Sequence, residues 1–116
     1  MNYKVERAIE TDRDLEAIFD FLAESYIAFG ESREVALERA AERIESIEND
    51  MMSLAKAPHQ GTACADLLSG LRSVTKQRAI FYFDIDDDER RVRVLAVFFG
   101  GQEHRRQMLK RIFGPG

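Results

Sequence analysis

The sequence predicts an α+β domain: an N-terminal strand, an antiparallel helical hairpin packed on an antiparallel sheet of three to four strands, and a short C-terminal helix. Two observations support this. Residues 11–54 repeat apolar side chains every three or four positions, as amphipathic helices do, and residues 71–101 alternate apolar and charged side chains, as strands do. A chain of 116 residues is large enough for one core and too small for two, so residues 1–116 are expected to form a single domain.

The first elements are a short strand and a helix. Residues 3–8 alternate apolar and charged side chains. Thr11 followed by Asp14 forms a candidate capping box, so we expect the first helix to begin there. Gly30 favours the left-handed conformation that ends a helix. The apolar stripe of this helix consists of Leu15, Ile18, Phe19, Leu22, Tyr26 and Phe29.

The second helix follows after a connection of two or three residues, which predicts an antiparallel hairpin. Ser32 is its expected N-cap. Its apolar stripe consists of Leu37, Ala40, Ile44, Ile47, Met51 and Leu54. If this stripe packs on the sheet, Ile44 and Ile47 are core residues.

The sheet is expected after the break at Pro58 to Gly61, because residues 62–69 carry no clear pattern. The three strand patterns cover Leu71–Thr75, Ala79–Ile85 and Arg91–Phe99. The acidic residues 86–89 suit a solvated hairpin turn. Gly100 and Gly101 end the last strand. A short amphipathic helix is then expected around Met108, Leu109, Ile112 and Phe113, stopped by Gly114 and Pro115.

Composition limits the class of protein. Hydrophobic residues make up 45% of the chain and there are only two prolines, which indicates a folded domain. No apolar run approaches the roughly 20 residues that cross a bilayer, and the N-terminus has no apolar signal region, so we expect a cytoplasmic protein with no membrane partner. The single cysteine, Cys64, cannot form an internal disulfide, which agrees with a reducing compartment.

The net charge of −4 is unevenly distributed. Residues 1–55 hold 6 Lys/Arg and 14 Asp/Glu, whereas residues 56–116 hold 11 and 7, so the cations accompany the sheet and the C-terminal segment. A domain that binds nucleic acid mainly through phosphates is usually basic overall. We therefore expect no direct sequence-specific DNA binding by this chain, although a local basic site is compatible with the charge distribution.

Several common catalytic patterns are absent from the sequence: a nucleophile elbow, a phosphate-binding glycine loop, zinc-ligand spacing and a Ser/His/Asp set. We expect no metal and no cofactor. The acidic run 84–89 lacks the glycine and the distal Glu of an EF-hand loop, so a solvated turn is favoured. Cys64 has no neighbouring base or cation in the sequence, which favours a partly buried, unreactive thiol.

Two groups of basic residues are the candidate functional residues. Alternation in the strands places the first group on or near one surface: Arg72, Lys76 and Arg78. The second group lies near the C-terminus: His104, Arg105 and Arg106. RNA cleavage by 2′-hydroxyl attack needs cations to stabilise the phosphorane and groups that give and take a proton, for which arginine and His104 are suited. The alternative is that these residues form the polar face of an amphipathic sheet and the basic end of a helix.

Four local motifs occur in a fixed order along the chain. They are Pro58-His59-Gln60-Gly61, Leu71-Arg72, the strand from Arg78 to Tyr82, and Val94-Leu95-Ala96-Val97. In their order and spacing, the whole chain resembles the RelE/ParE superfamily of bacterial toxins. This resemblance implies a strand, a helical hairpin, an antiparallel meander and a short C-terminal helix.

The resemblance also implies a choice between two activities. The ribonuclease branch cleaves mRNA on the ribosome with basic residues on the sheet and a C-terminal tyrosine, and Arg78 matches one basic position. Gln102 stands where a matching arginine is expected, and Met108 lies near the tyrosine position. The ParE branch lacks the catalytic set and poisons DNA gyrase by binding. These departures favour the ParE branch.

We therefore interpret the chain as a ParE-like toxin of the plasmid stabilisation family. The resemblance implies a ParD-like antitoxin that wraps an extended segment around the toxin, and DNA gyrase as the target. No catalytic residue is expected on this interpretation. The expected binding residues are Arg72, Lys76, Arg78, His104, Arg105, Arg106 and Met108. Two alternatives remain: an endoribonuclease that uses Arg78, His104 and Arg105, and a non-toxic member that only binds an antitoxin.

Overall fold

The computed structural model describes residues 2–100 and 103–114. The elements run in the order β1 (Lys4–Arg7), α1 (Glu10–Ala28), α2 (Arg33–Met52), a 3₁₀ turn (Ser53–Lys56), β2 (Thr62–Ala63), β3 (Arg72–Lys76), β4 (Ala79–Asp86), β5 (Arg91–Phe99) and α3 (His104–Phe113). The α+β class and the order of the predicted elements are confirmed. No helix in this part of the chain has the length and apolar character needed to traverse a bilayer.

The sheet has five strands in the order β1-β5-β4-β3-β2, one more than the largest number expected. β1 pairs with β5 in parallel, and all the other neighbouring strands are antiparallel. The additional strand is β2, in the segment that carried no pattern. It has only two residues, too few for alternation to be visible, and is held by pairing with Arg72 and Ser73 of β3.

The helix starts differ from expectation in two places. The capping box at Thr11 and Asp14 is wrong: α1 already begins at Glu10, and the Thr11 hydroxyl donates backwards to the Ala8 carbonyl at 2.6 Å. α3 begins at His104 and so includes the residues expected to precede it. The N-cap of α2 is confirmed, because the Ser32 hydroxyl accepts the Val35 N–H at 3.2 Å. Expectations that involve Gly101, Gln102 and Pro115 fall outside the described residues.

The sheet separates two hydrophobic cores. On the side covered by α1 and α2, here called the helix face, Phe81 and Phe83 of β4 are fully buried. Ile47 is 1% exposed, which confirms it as a core residue, and the half-buried Ile44 packs against the same cluster. The opposite side is here called the α3 face. Its core consists of Cys64, Leu67, Leu71, Ile80, Tyr82, Ala96, Phe98 and Met108.

An ion pair between a buried carboxylate and a half-buried guanidinium joins α1, β5 and α3. β1 pairs with β5 only as far as Val94, which leaves the next backbone groups of β5 without a neighbouring strand. Asp14, 9% exposed, accepts the Val97 N–H at 3.0 Å and two N–H groups of Arg111 at 2.6 and 2.7 Å. Arg111 also donates to the Leu95 carbonyl at 3.2 Å. The two side chains thus replace the missing strand and attach α3 to the body.

The loop that precedes β2 makes a close approach to β3. Gly61 has a φ of +83°, and a Cβ atom at this position would lie 2.2 Å from the Ser73 carbonyl oxygen. Glycine is therefore required both by the backbone conformation and by the space available. The guanidinium of Arg72 fixes the same loop, since it donates to the carbonyl groups of His59, Gln60 and Gly61 at 2.7, 3.1 and 3.2 Å.

We predict that Gly61→Ala destabilises the protein more than Gly70→Ala. Both glycines have a positive φ, +83° and +81°, so alanine at either carries backbone strain of about 1–3 kcal/mol. Only at Gly61 would the new methyl group also collide with the backbone, because no described atom lies within 4 Å of a Cβ at Gly70. Urea unfolding of both variants measures the difference. Equal losses would contradict the constraint at Gly61.

We predict that Arg111→Met lowers the free energy of unfolding by about 2–3 kcal/mol, because it leaves the Asp14 carboxylate buried without a counter-ion. The cost should be below that of a fully buried pair, since the Arg111 side chain is 29% exposed. The neighbouring exposed cation provides a control, Lys110→Met, which should be nearly neutral. The double variant Asp14→Asn, Arg111→Met should recover part of the free energy of unfolding that Arg111→Met alone loses. No recovery would show that packing, and not charge, dominates.

Candidate functional site

The structure distributes the predicted binding residues over both faces of the sheet. Arg72 and Lys76 are paired in register with Phe83 and Ala79, whose side chains belong to the core of the helix face. His104, by contrast, contacts Tyr82 on the α3 face. The two basic groups therefore do not converge on one site.

Arg72 is engaged in the fold itself. Its guanidinium donates three hydrogen bonds to the loop 59–61, as described above, and the residue is half-buried. Most of its donor capacity is used within the chain. A contact to a partner would have to replace or share these bonds, so its contribution to binding would be indirect.

Arg78 lies in the two-residue turn between β3 and β4, where both Gln77 and Arg78 have a positive φ, 49° and 72°. Its guanidinium carbon lies 5.3 Å from the centre of the Phe99 ring. Arg43 of α2 reaches the same ring at 5.5 Å and donates to the side chain of Gln77 at 3.1 Å and to its carbonyl oxygen. Sequence reasoning missed Arg43, because a single arginine on the polar side of a helix carries no signal that it meets a turn 34 residues later.

The α3 face holds a cluster of polar groups around the start of α3, here called the α3 cluster: Cys64, Asp66, Tyr82, His104 and Arg105. The Tyr82 hydroxyl is 2.7 Å from Nδ1 of His104, and the two rings lie 5.8 Å apart. Tyr82 is 1% exposed, whereas His104 is half-buried. This is the one place where a predicted proton-transfer residue meets a second titratable group in the described chain.

Charges in the α3 cluster are internally compensated. Arg105 donates to Asp66 at 2.5 Å, and this contact lowers the pKa of the Asp66 carboxyl and raises the pKa of Arg105. Burial raises the pKa of the Tyr82 phenol above its ordinary value, and the nearby Cys64 thiol adds to the increase. The Tyr82 phenol therefore holds its proton more firmly than a free phenol does. The arginine of the cluster is already paired.

Arg106 and Met108 occupy different environments on α3. Arg106 is exposed and has no ion pair within the described ranges. Met108 is 2% exposed and packs in the core of the α3 face. Met108 therefore holds α3 against the sheet and is not on the surface of the free chain.

A ribonuclease site built from Arg78, His104 and Arg105 would need these groups around one phosphate. In the structure, Arg78 stacks on Phe99 at the helix face, and the other two lie on the α3 face. Within residues 2–100 and 103–114, no three His, Cys, Asp or Glu side chains are placed to hold a metal ion. In the described residues, these three groups therefore do not surround one point.

Comparison with known proteins gives matches at the level of structure. No protein-family model and no curated protein sequence matches this chain. A structure of the chromosomal ParDE TA system from P. aeruginosa matches with a TM-score of 0.62 and 17% identity, over 84% of this chain and 95% of the other. The toxin-antitoxin complex RelBE2 from Mycobacterium tuberculosis matches with a TM-score of 0.60 and 16% identity, over 88% and 95%.

A mutant of the E. coli toxin RelE, solved in the free state, matches with a TM-score of 0.58 and 10% identity, over 97% of this chain and 99% of the other. At these identities the likeness concerns the fold. The chain shares its fold with these three structures, and this is the fold that the resemblance in the sequence predicted.

We predict that Tyr82 makes the protein less stable in alkali. The pKa of the phenol is raised in the folded state, so the unfolded chain loses this proton first, near pH 10.0, and the free energy of unfolding falls as the pH rises further. Urea unfolding at about pH 8 and about pH 11 should show a smaller loss for Tyr82→Phe than for the wild type. Tyr26→Phe, which removes a phenol on α1 outside this cluster, is the control. An equal alkaline loss in Tyr82→Phe and wild type would contradict this assignment.

Proposed function

We propose that this chain is the toxin of a type II toxin–antitoxin pair and that it acts by binding DNA gyrase. The proposal is supported by the shared fold, since the matching structures belong to a ParDE system, a RelBE2 complex and a RelE toxin. It is supported equally by the nature of the site. A binding protein needs a chemically varied surface, whereas an enzyme needs convergent groups around its substrate.

The distribution of the basic residues is the observation that carries the choice of binding over catalysis. Arg78 lies on one face of the sheet and His104 on the other, and Arg105 is neutralised by Asp66. Stabilisation of a phosphorane requires unpaired cations aimed at one point. Arg78, on the helix face, instead remains available for a contact with a protein partner.

The proposed partner that neutralises the toxin is a small ParD-like antitoxin. Several large apolar side chains of the helical hairpin are exposed in the free chain, including Phe29 at 89% and Phe21 at 55%. Exposed apolar side chains that lie together mark a surface for a protein partner. A partly disordered antitoxin segment that folds on binding would cover such a surface.

Ribosome-dependent RNA cleavage is the second candidate, and one observation favours it. The hydrogen bond of 2.7 Å between the Tyr82 hydroxyl and His104 Nδ1 would orient the imidazole as an acid or base. In that mechanism Arg105 would have to exchange Asp66 for a phosphate. Gyrase binding and RNA cleavage both predict toxicity. The two functions are therefore distinguished by whether DNA or mRNA is damaged in the arrested cells.

Expression of the chain alone should arrest growth, and co-expression of the product of the adjacent gene should relieve the arrest. Cells arrested by a gyrase poison accumulate gyrase covalently trapped on cleaved DNA, whereas cells arrested by a ribonuclease accumulate mRNA cut at ribosomal A sites. We expect gyrase trapped on cleaved DNA to be detected before the amount of intact mRNA falls. The reverse order would replace the proposed target with the ribosome, and unimpaired growth would contradict toxicity itself.

We predict that His104→Ala reduces toxicity only modestly, because in a binding mechanism no proton passes through the imidazole. For a ribonuclease, loss of a general acid or base typically lowers the rate by about 10²–10⁴-fold. The other histidine gives a matched control, His59→Ala, at an exposed position that pairs with Asp87. Growth curves at matched expression measure the effect. Complete loss of toxicity in His104→Ala, with antitoxin binding retained, would favour catalysis.

A further inference from the structure

A pocket on the helix face has no role in the fold described so far. It lies between the C-terminal half of α1 and the turn that joins β3 to β4, and its volume is about 350 Å³. We call it the Phe99 pocket. Its walls combine four aromatic rings with two cations: Phe21, Tyr26, Phe29, Phe99, Arg43 and Arg78. Such a combination can bind an apolar group and an anion at the same time.

The two arginines of this pocket carry uncompensated charge. Both guanidinium groups lie within 5.5 Å of the centre of the Phe99 ring, and neither forms an ion pair with any residue in the described ranges. Arg39, a third arginine nearby, does have a carboxylate partner. Its guanidinium carbon lies 4.6 Å from the centre of the Tyr26 ring, and its Nη1 lies 2.7 Å from Oε1 of Glu31. Two like charges held against one ring favour an anion that neutralises both.

Arg43 is also preorganised for such a ligand. Its guanidinium is fixed by the carbonyl and the side chain of Gln77, and the half-buried Phe99 supports it from one side. Arg78 is exposed, and its backbone is fixed by a hydrogen bond of 3.1 Å between its carbonyl oxygen and the Gly100 N–H. A carboxylate that entered would find at least one donor already in position.

Two aromatic rings, the exposed Phe21 and the half-buried Phe99, extend the binding surface. Phe21 and Phe99 also line a second cavity of about 230 Å³, which lies between α1, the end of β5 and α3. The two cavities therefore adjoin each other along one side of α1. An extended peptide could place an acidic side chain in one cavity and an apolar side chain in the next.

Charge distinguishes a peptide from a nucleic acid as the occupant. α1 and α2 together carry 12 acidic and 4 basic residues. A polyanion that reached Arg43 and Arg78 would run along these acidic helices, whereas a single carboxylate on a peptide would not. The surroundings therefore favour a protein ligand.

We infer that the Phe99 pocket binds an extended, acidic segment of the antitoxin, with one carboxylate held by Arg43 and Arg78 and a neighbouring apolar side chain against Phe21 and Phe29. This inference rests on the proposed function, because it assigns the antitoxin as the occupant. It adds the site and the chemistry of recognition. It also assigns a role to Arg43 of α2, which belongs to none of the sequence motifs.

The test measures the affinity of the full-length chain for the purified product of the adjacent gene. Arg43→Gln and Arg78→Gln should each weaken binding by at least about tenfold, because a desolvated carboxylate would lose a charged donor. Arg90→Gln is a matched control, since Arg90 is also a turn arginine with a positive φ, 52°, at the other end of β4. Circular dichroism should show that all three variants remain folded.

A charge exchange gives the sharper result. Arg78→Glu should abolish measurable binding, and one Asp→Lys or Glu→Lys substitution in the antitoxin should restore it. If both Arg43→Gln and Arg78→Gln bound the antitoxin with wild-type affinity, the inferred binding site would be overturned, but the proposed function would not. No binding by the wild-type chain would overturn both. Binding of a single-stranded RNA oligonucleotide that is lost in Arg43→Gln and Arg78→Gln, with antitoxin affinity unchanged, would assign the pocket to RNA instead.

Discussion

The ion pair between Asp14 and Arg111 is the contact on which the α3 face depends. β5 extends past the end of β1, and the carboxylate and the guanidinium together bind the backbone groups of Val97 and Leu95 that no strand covers. Because Arg111 belongs to α3, the same contact brings that helix onto the sheet. Without it, α3 would be held mainly by Met108 and Ile112 and by the polar contacts of His104 and Arg105.

Attachment of α3 explains why the two faces of the sheet differ electrostatically. On the α3 face, the cations near the sheet find partners in the chain: Arg111 pairs with Asp14 and Arg105 with Asp66. On the helix face, Arg43 and Arg78 meet an aromatic ring but no carboxylate within the described residues. Internal pairing satisfies a charge and fixes an element, whereas an unpaired charge remains available to a ligand. Under the proposed function, the helix face would supply recognition, whereas the pairs on the α3 face hold elements of the fold.

The sequence predicted those elements whose residues repeat with a regular period. The Ser32 cap, the strand Arg91–Phe99 and most of the two helical stripes were identified correctly, because each is determined by neighbours within a few residues. Two stripe residues were wrong: Phe29 follows the end of α1 and is 89% exposed, and Leu54 is buried but lies in the 3₁₀ turn after α2. Contacts between distant residues were not predictable. Asp14 suggested a helix cap, since a carboxylate near a helix start usually accepts local N–H groups, but it binds partners 83 and 97 residues away. β2 has too few residues to show a period.

The same limit applies to the candidate site. Alternation placed Arg72, Lys76 and Arg78 near one surface, but it could not show that Arg72 is committed to the loop before β2 or that Arg43 joins Arg78 at Phe99. A charged residue acquires its role from the groups that it meets, and these are set by the topology. Arginines thus serve three purposes here: Arg72 holds a loop, Arg111 anchors a helix, and Arg43 with Arg78 leaves a double positive charge unneutralised. Of these three arrangements, only the last would gain stability from an outside anion, which is why the inferred recognition site lies where the fold itself supplies no partner.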